Sequence, residues 1–247
     1  MQADEDRVRQ RARQLAAEAA VSGDETGWFE TLYSEAEAGV SVVPWADDGP
    51  NPQLVEWLAD WDGTGLRALV VGCGLGYDAE FLAGRGFEVT AFDIAPTAVA
   101  AARRAHPESA VDYVTADLLD LPAAWTAAFD LVVEIYTVQP LYGPVRERAL
   151  AALHKPVVPG GTLLVIARAT NEVNPERDPG AMPWPLTPGE LMAAGGPLEV
   201  RRVEQFPDEE VPPKLRWRAE FRRSASQKPP SGRAGVVEPG WKWQPPV

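Results

Sequence analysis

Between Arg67 and Arg168 the chain alternates short apolar runs with longer stretches whose apolar residues recur every three or four positions. Apolar runs bounded by Gly, Pro or Asp have the length and flanks of buried strands, and recurrence at three or four marks a helix face. The pattern predicts strands at Arg67–Gly72, Phe87–Asp93, Val111–Ala116, Phe129–Glu134 and Gly161–Arg168, with helices near Tyr77–Arg85, Pro96–His106 and Pro144–His154. Strands that are apolar throughout belong to parallel sheets covered on both faces, so the expected class is α/β. Pro159-Gly160-Gly161 predicts a turn ahead of the fifth strand, because Pro and Gly punctuate regular elements. Beyond a Pro-rich loop lie a short helix near Gly189–Ala194 and two runs, Leu198–Phe206 and Lys214–Arg222, expected to pair as an antiparallel hairpin. The whole predicts seven strands in one mostly parallel sheet, the last antiparallel, with helices on both faces.

The flanks differ in character. Val8, Ala12, Leu15 and Ala19 stand at helical spacing among charges, predicting an amphipathic helix that lies on something larger. Trp28, Trp45, Trp57 and Trp61 then crowd into a segment broken by Pro and Gly, and so many indoles need either a large apolar surface or a ligand to cover them. Residues 1–62 are therefore read as a helical lid segment and 63–223 as the main domain, while 224–247, rich in Ser, Pro and Gly, read as a disordered tail.

Charge and composition narrow the partners. The 36 acids against 23 bases leave a formal charge of −13, which repels a phosphate backbone and argues against nucleic acid. No apolar run approaches the roughly 18 residues of a membrane span, and the charged start MQADEDRVRQ lacks a signal peptide's apolar region. With a single cysteine, Cys73, and two histidines, His106 and His154, neither a disulfide nor a Cys/His metal site is expected, and the reading is cytoplasmic.

The chemistry concentrates in Val70-Val71-Gly72-Cys73-Gly74-Leu75-Gly76-Tyr77-Asp78, a buried strand entering a glycine turn and then a helix. The turn brings backbone close to a ligand, and Asp93 closes the next strand where a carboxylate accepts hydrogen bonds from ribose hydroxyls. Asp117 with Leu118, after the third strand, lies where an adenine amine would need an acceptor. Together these describe an adenosine cradle. The spacing is G-x-G-x-G and not the G-x-G-x-x-G of a pyrophosphate site, which counts against NAD, and the acids at the strand ends suit a cationic cofactor.

In order along the chain, GCGLGYDAEFLAGRGFEVTAFDIAPTAVAAARR, VDYVTADLLDLP, FDLVVEIYTVQPL and VVPGGTLLVIA resemble the successive motifs of class I S-adenosylmethionine-dependent methyltransferases. GCG-x-GYD, with the N-terminal W-x-x-x-LY and PW, is most similar to the thiopurine, thiol and halide branch. The resemblance implies a Rossmann-like sheet, S-adenosyl-L-methionine as cofactor and a small-molecule acceptor with sulfur or oxygen as nucleophile. By the same resemblance Gly72, Gly74 and Gly76 bear against the methionine part, Asp93 and Ile94 hold the ribose, and Asp117 and Leu118 hold the adenine. Glu134 would lie below the transferable methyl, and Trp28 and Trp45 would close over the cofactor. The segment Glu134–Gln139 departs from the branch's pattern and leaves the acceptor open, and no N/D-P-P-Y/F follows strand four to support base methylation.

Plainer readings stand beside these. Asp78 favours the first helical turn, Cys73 is a small filler, His154 is a surface residue at a helix end, and Trp57 and Trp61, four apart on a helix, are packing residues. Glu134 and Tyr136 are unusual at a buried strand end and are the candidate catalytic groups. The acceptor pocket is expected from the Trp-rich N-terminal segment, the Glu134–Tyr142 loop and the 171–188 loop with Trp184. Two other classes share the cradle: a non-catalytic cofactor-binding or scaffold protein, and a NAD-dependent oxidoreductase.

Overall fold

A computed structural model describes residues 2–46, 48–173, 175–178, 181–208 and 210–226, with side chains from Gln10 onward. The expected disordered tail lies, beyond residue 226, outside the described residues, as does the side chain of Val8. Among these residues seven strands form one sheet: β1 (Arg67–Val71), β2 (Glu88–Asp93), β3 (Asp112–Thr115), β4 (Phe129–Ile135), β5 (Val157–Arg168), β6 (Glu199–Pro207) and β7 (Leu215–Arg222). Their order is β3-β2-β1-β4-β5-β7-β6. The pairs among β1 to β5 are parallel, and β7 is antiparallel to both β5 and β6, as the paired runs at the chain's end predicted.

Among the described residues seven α-helices accompany the sheet: α1 (Gln2–Ser22), α2 (Trp28–Glu37), α3 (Pro52–Trp57), α4 (Tyr77–Gly84), α5 (Pro96–Ala105), α6 (Pro144–Ala152) and α7 (Pro188–Gly195). Residues two apart on a strand share a face, and the core divides accordingly. Leu69, Val71, Val132, Leu163 and Val165 pack with Ala149 and Leu150 of α6 and Leu191 of α7. Ala68, Val70, Val133, Leu164 and Ile166 pack with Leu82 of α4 and Val99 of α5. Because both faces are covered, the central strands read as continuous apolar runs. No helix among the described residues is long and apolar enough to cross a membrane.

One boundary differs from expectation. β5 begins at Val157, so Pro159-Gly160-Gly161 lies inside it as an irregularity between the pairs Phe129/Val157 and Leu131/Thr162. The kinked backbone keeps its hydrogen bonds because Gly160 N–H donates to the Arg223 carbonyl and Gly161 O accepts from Arg223 N–H, each at 2.9 Å. Arg223 also donates to the carbonyls of Val157 and His154 at 2.8 and 2.7 Å. His154, expected on the surface, is instead half-buried beside this arginine, and burial lowers its pKa to about 4.

The N-terminal helices form a third apolar cluster and use the main domain as its floor. Ala12, Leu15, Ala16 and Ala19 of α1 meet Trp28 and Leu32 of α2, together with Ala95 and Ala98 at the start of α5 and Met182 and Trp184 from the later loop. Arg11 clasps Glu35 with two hydrogen bonds, at 2.8 and 2.5 Å, tying α1 to α2. The Trp57 and Trp61 rings meet at 4.9 Å with a 33° tilt, as packing residues should, although Trp61 lies beyond the end of α3 and not on one helix with Trp57.

Candidate functional site

The carboxyl ends of β1, β2 and β4 open into a cleft of about 1110 Å³, the crevice in which open α/β sheets bind ligands. Its floor is the glycine turn between β1 and α4. Gly72 and Gly76 have φ of 62° and 89°, backbone that L side chains resist. A Cβ at Gly72 would strike the Thr137 side chain, and one at Gly76 would strike the Tyr113 hydroxyl. These two glycines thus answer to backbone sign and protein packing as well as to ligand room.

Asp93, 6% exposed at the end of β2, fixes the turn from below: its Oδ2 accepts from Gly74 N–H and its Oδ1 from Ala95 N–H, both at 3.0 Å. Burial raises its pKa while the backbone amides pull it back. A carboxylate has about four lone-pair sites, so both oxygens retain capacity for ribose hydroxyls. Asp117 Oδ1 accepts from Leu119 N–H at 2.8 Å and caps a short 3-10 turn, Leu118–Asp120. Asp117, Leu118 and Ile94 all line the cleft. Asp78 does more than favour its own helix, accepting from Asn51 N–H at 2.7 Å and joining the start of α3 to α4. Cys73 lines the turn with its thiol pKa pushed well up by burial, so it holds no ready thiolate.

The aromatic wall comes from α2 and the segment after it. Phe29, Tyr33 and Trp45 line the cleft, and Trp45 Nε1 donates to the Tyr33 hydroxyl at 3.3 Å. Trp28 does not line it: only 4% exposed, it stacks on Phe29 at 4.0 Å and packs toward α1. Phe29 and Tyr33 are four apart and share one helix face, while Trp28 and Leu32 share the neighbouring face. Composition marked the segment as aromatic, but only the helical phase decides which ring meets the ligand.

Glu134 and Tyr136 separate. Glu134, fully buried, accepts at Oε1 from Thr137 N–H at 2.8 Å and Val138 N–H at 3.0 Å, and its Oε2 has no partner among the described residues. Burial pushes its pKa up to about 7. It is not among the residues lining the cleft; it holds the loop that does. Tyr136 does line the cleft, in left-handed backbone with φ of 61°, its N–H bonded to the Ile166 carbonyl at 3.0 Å and its ring 5.1 Å beneath the Arg216 guanidinium. A tyrosine held at positive φ is strained, and such strain persists where surrounding contacts over-determine it.

A second cavity, of about 720 Å³, adjoins the first and shares Trp45, Tyr136 and Pro140 with it. It draws on the N-terminal segment, the loop after β4 and the later loop, the three segments expected to build an acceptor pocket, although Trp184 packs behind it. Arg146 binds these loops together. Only 2% exposed, it pairs with Glu190 at 2.6 Å and donates to the carbonyls of Val138, Gln139, Leu141, Trp184 and Pro185. Arg146 and Gln139 carry no motif and were not singled out from the sequence.

Fit to the implied cofactor can be judged from the cleft itself. Among the described residues its lining carries three carboxylates, Asp78, Asp93 and Asp117, and neither lysine nor arginine. That surface suits a sulfonium-bearing nucleoside and opposes a pyrophosphate.

Sheet order, glycine turn and acid-lined cleft define a Rossmann-like methyltransferase fold. Residues 69–165 match the family described as a methyltransferase domain, which covers the strands and turn that build the cleft. A curated relative, the ubiquinone biosynthesis O-methyltransferase of Xanthomonas oryzae pv. oryzae (strain PXO99A), is 38% identical over 151 residues, 57% of this chain and 62% of that protein. The match thus spans less than two thirds of the relative's length. The N-methyltransferase NodS of Bradyrhizobium japonicum WM9, solved with S-adenosyl-L-homocysteine, superposes with a TM-score of 0.60 at 22% identity, covering 78% of this chain and 98% of that one. The [4+2]-cyclase SpnF superposes with a TM-score of 0.58 at 18% identity, covering 74% and 86%. At these identities the likenesses establish the fold, and none of the three names a thiopurine, thiol or halide enzyme.

Proposed function

We propose that the chain transfers the methyl group of S-adenosyl-L-methionine to an oxygen of a small molecule. The observation that carries this reading is the adjacency of two cavities that share Trp45, Tyr136 and Pro140: one acid-lined and seated on the Asp93-pinned turn, the other lined by the N-terminal segment, the loop after β4, the later loop and Arg168, Glu210 and Arg216. The O-methyltransferase relative favours oxygen as the nucleophile. Sulfur, which the GCG-x-GYD resemblance favours, is the second reading.

The cofactor supplies an activated methyl on a good leaving group, so the protein's work is alignment and exclusion of water. Asp93 and Asp117 hold the nucleoside, and Gly72, Gly74 and Gly76 keep the turn flat against its amino-acid part. Phe29, Tyr33 and Trp45 line the cleft, and aromatic rings stabilise a nearby cation. Tyr136, which lines both cavities, orients the acceptor, while Glu134 fixes Tyr136's loop by accepting hydrogen bonds from two backbone amides.

The test uses the full chain. Calorimetry with S-adenosylhomocysteine should give saturable binding, and labelled S-adenosylmethionine should methylate members of a phenol panel faster than matched thiophenols. Faster thiol methylation would move the nucleophile to sulfur. Cofactor binding without methyl transfer to either panel would favour a non-catalytic or cyclase-like use of the fold, and binding of NAD in its place would favour an oxidoreductase.

A further inference from the structure

Glu134 stands next to the end of β4 and is paired in register with Val71 of β1 and Val165 of β5, which belong to the apolar cluster that also holds Val138. A carboxyl in such a place is costly to ionise. Its Oε1 accepts from Thr137 and Val138 N–H, whereas Oε2, equally buried, has no partner among the described residues. Few charges surround it. Arg146 of α6 is the cation it feels, but that guanidinium gives its hydrogen bonds to Glu190 and to the carbonyls of Val138, Gln139, Leu141, Trp184 and Pro185. Glu190, at the start of α7, is paired a second time with Arg177 at 2.6 Å. The arginines are thus matched elsewhere, and the charge on Glu134 is left to respond to something else.

One residue separates that carboxyl from the cleft. Thr137, whose N–H binds Glu134 Oε1, itself lines the cleft, and its hydroxyl donates to the Val71 carbonyl at 2.9 Å. The next residue, Gly72, is so close that a Cβ there would meet the Thr137 side chain. A cation seated on the Gly72 turn therefore acts on Glu134 through a thin, dry layer of protein. An opposite charge nearby raises the tendency of a carboxyl to ionise by about tenfold or more. S-adenosylmethionine carries a sulfonium and S-adenosylhomocysteine a neutral thioether, so only the first brings that charge.

Resting on the cofactor reading above, we propose that Glu134 is the residue by which this chain tells the methylated cofactor from its spent form: its buried carboxyl ionises when S-adenosylmethionine occupies the cleft and stays protonated when S-adenosylhomocysteine does. On binding of the sulfonium form, the Glu134 O–H bond breaks and the proton passes to solvent. When the methyl has left and the cofactor is a neutral thioether, Glu134 takes a proton back. Its role is discrimination at a distance and not contact with the reacting atoms. Coupling of this kind is reciprocal, so a cofactor charge that eases ionisation of Glu134 tenfold is itself bound about tenfold more tightly once Glu134 is ionised. Because burial holds the proton up to about pH 7, the preference for S-adenosylmethionine over S-adenosylhomocysteine rises with pH through neutrality and then levels off.

The experiment is calorimetry of the full chain with each cofactor form, without acceptor, in phosphate and in Bis-Tris, whose different ionisation enthalpies report protons released. At pH 6.5 S-adenosylmethionine should release about half a proton more than S-adenosylhomocysteine, as a tenfold coupling to a group titrating near 7 requires. Between pH 6 and 8 the ratio of the two affinities should move about 5-fold toward S-adenosylmethionine on the same coupling. E134Q keeps Oε1 for the Thr137 and Val138 amides and cannot ionise, so it should show neither effect. The cofactor's own ammonium titrates alike in both proteins and cancels in their comparison. Equal proton counts for the two forms in wild type overturn the proposal even if E134Q does not fold. A difference that persists in E134Q also overturns it and moves the response to another carboxyl, with buried Asp93 the first to replace. Failure of both forms to bind is a separate result that removes the cofactor reading itself.

Discussion

Replacing Glu134 by Gln should stabilise the protein progressively as the pH rises from 4.5 to 7. Glu134 is fully buried with Oε2 unpartnered, and its pKa is pushed up from the ordinary 4.5 to about 7, foremost by burial. Within that window the folded chain keeps a proton that the unfolded chain has lost, so stability falls with rising pH and levels off above about 7. At about 1.4 kcal/mol per pH unit, the difference reaches about 3 kcal/mol. Glu134→Gln keeps Oε1 to accept from Thr137 and Val138 and cannot ionise, so it lacks this loss. His154 acts in the opposite sense: with its pKa lowered from 6.5 to about 4, it withdraws stability as the pH falls through that range. Because His154 is common to both proteins, its contribution cancels in their difference. Urea unfolding at pH 4.5 and pH 8, extrapolated to water, should show the stability of Glu134→Gln relative to wild type rising by about 3 kcal/mol between the two. Any fixed cost of the buried Gln amide shifts both points equally. A difference independent of pH would refute a protonated Glu134, and a difference that moves the other way would show a carboxylate stabilised by the loop amides and Arg146.

Asp93→Ala should weaken S-adenosylmethionine binding by about 10- to 100-fold, because charge-assisted hydrogen bonds carry roughly 1.5–3 kcal/mol. Asp93→Asn separates ribose binding from support of Gly74 N–H: an unchanged affinity in a folded variant removes Asp93 from the ribose. Gly76→Ala should cost about 1–3 kcal/mol in denaturant unfolding, since it combines positive φ with a Cβ directed at the Tyr113 hydroxyl; a cost near zero would mean that the turn relaxes freely. Removing residues 1–46 deletes Phe29, Tyr33 and Trp45 from the cleft wall and should abolish most cofactor affinity. Hydrogen exchange over residues 20–50 should slow on addition of S-adenosylhomocysteine, and equal rates with and without it would make this segment ordinary packing.

The central strands were legible in the sequence because a strand covered on both faces must be apolar at nearly every position, and Leu163 to Ala167 obey that from one end to the other. Asp93 was legible for a related reason: its place at the end of the strand after the glycine turn is set by chain order alone. The Pro159–Gly161 irregularity was not, because its backbone partner is Arg223, which reaches it only through the pairing of β5 with β7.

The site divides along the same line. An aromatic-rich segment can be recognised from composition, but whether Trp28 or Phe29 faces the cleft depends on the rotation of α2, and α1 sets that rotation by covering Trp28. Gln139 and Arg146 are further from sequence reading still, since their meaning lies in carbonyls and amides contributed by segments as far apart as Val138 and Pro185. A glutamine after β4 is ordinary until Arg168 N–H fixes its oxygen and Trp184 N–H fixes its carbonyl. On the function proposed above, the cofactor would be held by one local turn, two strand ends and the aromatic wall of Phe29, Tyr33 and Trp45, and the acceptor by loops that converge from distant parts of the chain. Substitutions at Met182 and Pro183, which line the second cavity and not the first, should therefore change which acceptor is used while leaving S-adenosylhomocysteine affinity nearly constant, and substitutions in the 72–76 turn should do the reverse.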